Sequence, residues 1–138
     1  MWKNVFVTAI LTVFIVFNGQ IAEAAGNADK GKKVFNLCKA CHTLKAGKHR
    51  VGPSLNGVFN RKAGTAKGFE KRYSKAMKKA GDKGVVWNAE NLSTYLIDPK
   101  KFLRKATGNP QARGKMPTKV RNAKKRDDLI AYLKQATK

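Results

Sequence analysis

The sequence predicts an all-α fold, and three observations carry that prediction. Apolar residues recur at three- and four-residue spacing in four stretches, no stretch sustains the two-residue alternation of a half-buried strand, and the connecting segments are rich in Gly, Lys and Asn. The chain has 138 residues with 42% hydrophobic content, which is room for one globular domain.

Asn27 is a suitable cap for a first helix running to about Lys39, with Val34, Phe35 and Cys38 on one face. A second helix is expected near Glu70 to Ala80, where Tyr73, Ala76, Met77 and Ala80 share a side and Gly81 follows as terminator. Asn88 caps a third, in which Leu92, Tyr95 and Leu96 fall at helical spacing before Pro99 stops it. Asn122 opens the last, whose stripe is Leu129, Ile130 and Leu133, with Tyr132 beside it and Lys and Arg on the remaining faces.

Residues 1–24 read as a targeting segment rather than as fold. Lys3 gives a thin basic start, Val5 to Phe17 is an uncharged run, and Ala22-Glu23-Ala24 offers small residues at the positions a signal peptidase inspects. The run covers roughly 20 Å as helix, short of the roughly 30 Å hydrocarbon core of a bilayer. Cleavage is expected after Ala24, with Ala25 as the neighbouring choice, leaving residues 25–138 as one domain exported to the periplasm. The alternative is an uncleaved anchor.

Lys and Arg outnumber Asp and Glu by 30 to 8, a formal charge of +22. Such a surface attracts anions. With eight acidic residues, and with no nucleophile–base pair or phosphate loop, hydrolytic and phosphoryl-transfer chemistry is poorly supplied.

The decisive residues are Cys38-Lys39-Ala40-Cys41-His42, the Cys-x-x-Cys-His pattern of c-type haem attachment. On one helical turn Cys38 and Cys41 lie three apart, so both sulfurs can add to the vinyl groups on one edge of a porphyrin, and His42 is tethered within reach of the iron. A dithiol redox motif shares the cysteine spacing but expects a preceding strand. A disulfide between the two would cross-link almost nothing. Zinc would need further ligands, for which His49 is the one other histidine. His42 must bind iron as neutral imidazole, which leaves its other N–H in need of an acceptor. Gly52-Pro53-Ser54-Leu55 soon follows.

From Gly31 to the C-terminus the chain resembles a class I cytochrome c, the soluble mitochondrial and bacterial type. Asn60-Arg61-Lys62-Ala63-Gly64, Val86-Trp87-Asn88, Tyr95-Leu96, Asp98-Pro99-Lys100-Lys101 and Asp128-Leu129-Ile130-Ala131-Tyr132-Leu133 all fall in that family's order. The resemblance implies a single-domain fold in which the N- and C-terminal helices cross near Gly31 and Tyr132 and loops wrap one covalent haem. It implies that the Pro53 carbonyl accepts the His42 proton and that Tyr73 and Trp87 hydrogen-bond a haem propionate beside Arg61. Tyr95 joins them as a haem-contacting residue. Simple core packing is the alternative for each aromatic.

A thioether is a soft ligand that favours reduced iron and raises the potential. Of three methionines, Met1 leaves with the leader and Met77 sits at core spacing on a helix. Met116 lies in the loop Gly114-Lys115-Met116-Pro117, where the family places its axial ligand. The loop from Asp98 to Met116 is longer than the mitochondrial one, as is Gly64 to Tyr73. Gly114 and Thr118 replace a threonine and an aromatic expected there. A histidine at the place of His49 hydrogen-bonds between loops in the family.

With both axial positions filled no open site remains for substrate, so an electron carrier is expected rather than an enzyme. A haem enzyme or gas binder with a displaceable Met116 is the rival reading. The resemblance implies shuttling between a membrane cytochrome bc complex and a terminal oxidase or photosynthetic reaction centre. Acidic docking faces would meet a cationic rim that includes Arg50, Lys100, Lys101 and Lys115, with Leu37 standing where the family often has lysine. Nucleic acid is not an expected partner, weak association with anionic membranes is a secondary property, and a monomer is expected.

Overall fold

The computed structural model describes residues 26–137, so the targeting segment expected at 1–24 lies outside the described residues. Five α-helices follow in order: α1 (Ala28–Val34), α2 (Lys75–Asp82), α3 (Ala89–Ile97), α4 (Pro99–Thr107) and α5 (Ala123–Ala136). Three have the caps expected of them: Asn27 accepts from Lys30 N–H, Asn88 from Asn91 N–H and Asn122 from Lys125 N–H. Each cap satisfies one of the amide donors that a helix start leaves unpaired.

Three expectations are corrected. The first helix does not run as α-helix to Lys39: it closes at Val34 and continues as a 3₁₀ turn over Phe35–Leu37. The second begins at Lys75, where Ser74 caps it by accepting from Met77 N–H, after a separate 3₁₀ turn at Glu70–Arg72. Gly81 does not end it. It is a buried residue inside α2, because a Cβ there would overlap the carbonyl oxygen of Ala63, and the chain turns instead at Gly84 (φ +91).

Pro99 stops α3 and also starts α4, a helix absent from the sequence reading. Asp98 accepts from Lys101 N–H at 3.1 Å, and the proline takes the first helical position, where its missing N–H costs no hydrogen bond. Gly108, at φ 67, closes α4 in the left-handed conformation.

Helices α1 and α5 cross as expected. A Cβ on Gly31 would overlap the Asp128 carbonyl and lie 2.7 Å from Tyr132 Cβ, so only glycine permits this approach. The Phe35 and Tyr132 rings meet beside it at 5.6 Å, and Asn27 N–H donates to Asp128 Oδ1 at 2.7 Å. Not every cation of α5 faces solvent. Arg126 is buried, donating to the carbonyls of Val120 (3.0 Å) and Arg121 (2.7 Å) and to Ser93 Oγ (3.2 Å), which fixes the chain's entry into α5.

Helix α2 packs on α4, and α3 on both α4 and α5. Leu103, Leu129 and Leu133 fill the space between them. Residues 60–63 lie antiparallel to 85–87 through bonds from Ala63 N–H to Val85 O (2.8 Å) and Trp87 N–H to Arg61 O (2.9 Å). That short pairing sets Arg61 beside Trp87.

Candidate haem-binding site

Cys38 through His42 forms one helical turn. Cys41 and His42 N–H both donate to the Cys38 carbonyl, at 3.0 and 2.9 Å, so the two sulfurs share a side of the turn. Cys38 is buried and Cys41 half-buried. Burial, and then the neighbouring Cys41, push the Cys38 thiol up to about 11. A dithiol redox centre needs the opposite, a thiolate stabilised near neutral pH.

Two backbone bonds bring the next loop back over this turn, Gly52 N–H to Cys41 O (2.8 Å) and Leu55 N–H to Thr43 O (2.9 Å). They carry the Pro53 carbonyl to 2.7 Å from His42 Nδ1. Nδ1–H donates there, which leaves Nε2 as the lone-pair nitrogen. A Cβ on Gly52 would lie 2.5 Å from His42 Cε1, so the glycine makes room for the ring. Burial holds the His42 imidazolium below its ordinary range; the Pro53 carbonyl opposes this and the Arg61 charge adds to it. A neutral ring is the form that ligates metal.

His49 is committed elsewhere. Its Nδ1 accepts from Ser54 N–H at 3.0 Å and its Nε2 donates to the Lys67 carbonyl at 2.9 Å, tying two loops together as the resemblance implied. Among the described residues no three His, Cys, Asp or Glu side chains converge on a metal-sized site.

Arg61 donates to the carbonyls of Asn56 (3.0 Å) and Ser54 (3.1 Å), yet its Nε is buried without a partner. The ion pairs among the described residues join other side chains, so this half-buried guanidinium has no carboxylate against it. Burial lowers the Arg61 pKa, while Tyr73 opposes the shift. A half-buried cation with a buried, orphaned donor calls for an anionic acceptor, and a haem propionate is one. The residues present therefore fit the group.

Tyr73 and Tyr95 are both pushed up, by burial first. Trp87 lies 5.1 Å from Tyr95 and 5.8 Å from Phe102, so the three rings form one aromatic cluster, and packing is at least part of what Trp87 and Tyr95 do. Met77 is buried on α2, whereas Met116 is half-buried in the loop before α5. That loop borders a cleft of about 270 Å³ together with Pro99, Lys100 and Lys119.

Sequence reasoning missed what fastens the Met116 loop. A Cβ on Gly114 would lie 2.7 Å from Leu103 Cδ1 of α4, Lys119 pairs with Asp98 at 2.6 Å, and Lys115 Nζ donates to the Arg72 carbonyl at 2.7 Å. Arg72 in turn donates to the carbonyls of Arg50 and Val51 and stacks 4.3 Å over the Phe69 ring. Arg50 donates to the Lys39 carbonyl between the two cysteines. The contacts thus run from the Met116 loop to the Cys-x-x-Cys turn. The Asp98-Pro99 pair was the available sign of α4; nothing local in the sequence signals the cross-loop carbonyl contacts.

A helical shell with a double-cysteine turn, a pinned imidazole and a half-buried arginine whose Nε is unpaired among the described residues fits a c-type cytochrome. The chain belongs to the Cytochrome c family, whose model matches residues 28–137. It is 41% identical over 118 residues to cytochrome c2 of Cereibacter sphaeroides, covering 80% of this chain and 94% of that one. It is 47% identical over 116 residues to cytochrome c2 iso-1 of Rhodospirillum centenum, covering 79% and 95%. The solved cytochrome c2 from Rhodospirillum centenum superposes with a TM-score of 0.75 at 42% identity, covering 82% of this chain and all of that one. Cytochrome c2 from Rhodobacter sphaeroides gives 0.75 at 38%, covering 81% and 97%. The protein is accordingly a class I cytochrome c, an electron-transfer protein rather than an enzyme, with one covalent haem c.

Proposed function

We propose that the haem is joined through Cys38 and Cys41, with iron held between His42 Nε2 and the Met116 thioether, and that the protein shuttles electrons in the periplasm between a membrane cytochrome bc complex and a terminal oxidase or reaction centre. The observation that carries the ligand assignment is the His42–Pro53 hydrogen bond, which fixes the tautomer and leaves Nε2 for a metal. When bound, the haem supplies a one-electron couple. The chain's residues do the rest: His42 and Met116 would hold the iron and exclude small molecules from it, and Arg61, Tyr73 and Trp87 would meet the propionate end. Tyr95 and Phe102 keep the surroundings apolar, which disfavours the more highly charged iron state.

Haem staining after denaturation and acid-acetone extraction tests the attachment. The colour should stay with the wild-type chain, and Cys38→Ser or Cys41→Ser should each leave a single thioether, seen by mass spectrometry as haem held at the remaining cysteine. Haem passing wholly into the solvent from the wild type would sink the assignment. Met116→His should lower the reduction potential while the fold persists, because imidazole favours ferric iron more than a thioether does; an unchanged potential would remove Met116 from the iron.

A further inference from the structure

We propose that Arg72 is a positioning residue for Met116: its guanidinium steadies the carbonyl that anchors the Met116 loop, and so sets how readily an outside ligand displaces the thioether from iron. The inference rests on the axial assignment proposed above.

The loop needs an anchor because its own backbone supplies none. Among the described residues, 113–119 make no backbone–backbone hydrogen bond; the ladder stops where Ala112 N–H donates to Asn109 O and resumes where Val120 N–H donates to Leu96 O. A segment without such bonds opens at a lower free energy than the helices around it. Side chains close it instead, Lys119 with Asp98 on the C-terminal side of Met116 and Lys115 with the Arg72 carbonyl on the N-terminal side. The second tie adjoins Met116 directly, and it is only as firm as its acceptor.

The Arg72 side chain makes that acceptor firm. Arg72 ends the 3₁₀ turn Glu70–Arg72, where its N–H donates to Phe69 O at 2.9 Å. From there Nη2 donates to the carbonyls of Arg50 and of Val51 (3.3 Å), on the loop beside the cysteine turn, while the guanidinium lies 4.3 Å over the Phe69 ring. Phe69 is a fixed seat, buried and flanked by Tyr73 at 5.0 Å and His49 at 5.3 Å. The ion pairs among the described residues include neither Arg72 nor Glu70 of the same turn, so no carboxylate draws the guanidinium away. A planar fork can lie on a ring face and bond carbonyls at its edge together, which a point-like ammonium cannot. The two segments that are longer here than in the mitochondrial pattern, Gly64 to Tyr73 and Asp98 to Met116, thus meet at one residue.

Titration of the ferric, haem-loaded protein with imidazole near neutral pH tests this, read as loss of the weak sulfur-to-iron absorption band. Arg72→Gln should raise the affinity for imidazole about fivefold, the order expected when a hydrogen bond and its ring contact no longer favour the closed loop. Arg72→Lys should raise it nearly as far, because the fork rather than the charge does the holding. Lys71→Gln removes the same charge from an exposed position on the same turn and should change the affinity less than about twofold. Hydrogen exchange at the Lys115 and Met116 amides should quicken in both Arg72 variants. An affinity unmoved by Arg72→Gln, even with a lowered denaturation midpoint, would make Arg72 merely structural and overturn the proposal. An equal rise in Lys71→Gln, or full recovery by Arg72→Lys, would overturn it in favour of net charge. The axial assignment fails differently: a wild type that lacks the band has lost Met116 as ligand, whereas one that shows the band and keeps its imidazole affinity without Arg72 overturns the positioning role alone.

Discussion

His42 and its neighbours show how little freedom a proposed ligand residue can be allowed. The ring is fixed by the Pro53 carbonyl at 2.7 Å on one side, and Gly52 leaves just enough space beside it. Gly52→Ala should therefore tilt the imidazole or shift the loop, at a cost of about 1–3 kcal/mol typical of overpacking. Chemical denaturation of the two proteins checks this, and equal midpoints would show that the loop yields freely. Arg61 invites a different test. Its buried Nε has no partner among the described residues, and a cation near iron would disfavour the ferric state. Arg61→Gln should lower the reduction potential in a redox titration; an unchanged value would place Arg61 away from the propionates.

The α1–α5 crossing depends on a glycine that could be read from sequence by resemblance and is explained by contact. Gly31→Ala would force its methyl into the Asp128 carbonyl, and the predicted loss is again about 1–3 kcal/mol or more, since backbone rather than a flexible side chain must move. Asp128 adds a pH dependence. Hydrogen bonds from Lys124 and from Asn27 N–H hold its carboxylate below the ordinary range. A lowered folded-state pKa means stability that is present above the unfolded pKa and lost as pH falls through the folded one. Asp128→Asn should lower the thermal midpoint at pH 7, and the gap from wild type should narrow with acidification; a constant gap would mean that the charge contributes nothing. The caps Asn27, Asn88 and Asn122 were legible because capping is local chemistry. Helix α4 was missed because Pro99 was read as a stop, although Asp before Pro is equally a start, and Gly81 was misread because its reason is a tertiary neighbour, Ala63. The Cys-x-x-Cys-His turn was legible for the same reason as the caps, whereas the ties from Lys115 to Arg72 and from Arg72 to Arg50 join segments far apart in sequence.

At the scale of the molecule, the charge of +22 has both an external and an internal use. Of the cations expected to face a redox partner, Arg50 and Lys115 also hold carbonyls across the fold, while Lys100 borders the cleft beside Met116 and Lys101 is exposed. The proposed docking face should speed encounter with an acidic partner chiefly through the association rate, by about 10- to 1000-fold at low salt. Lys100→Glu with Lys101→Glu should slow stopped-flow electron transfer more than Lys125→Glu with Lys134→Glu, and the difference should shrink as the Debye length falls to about 10 Å at 0.1 M salt. Equal slowing would mean that net charge alone matters. The central claim, that iron sits between His42 and Met116, is tested most directly by the weak sulfur-to-iron absorption band of the ferric protein. The band should persist in Met77→Leu and vanish in Met116→Leu with the helical content unchanged; a band lost in the first and kept in the second would contradict the assignment.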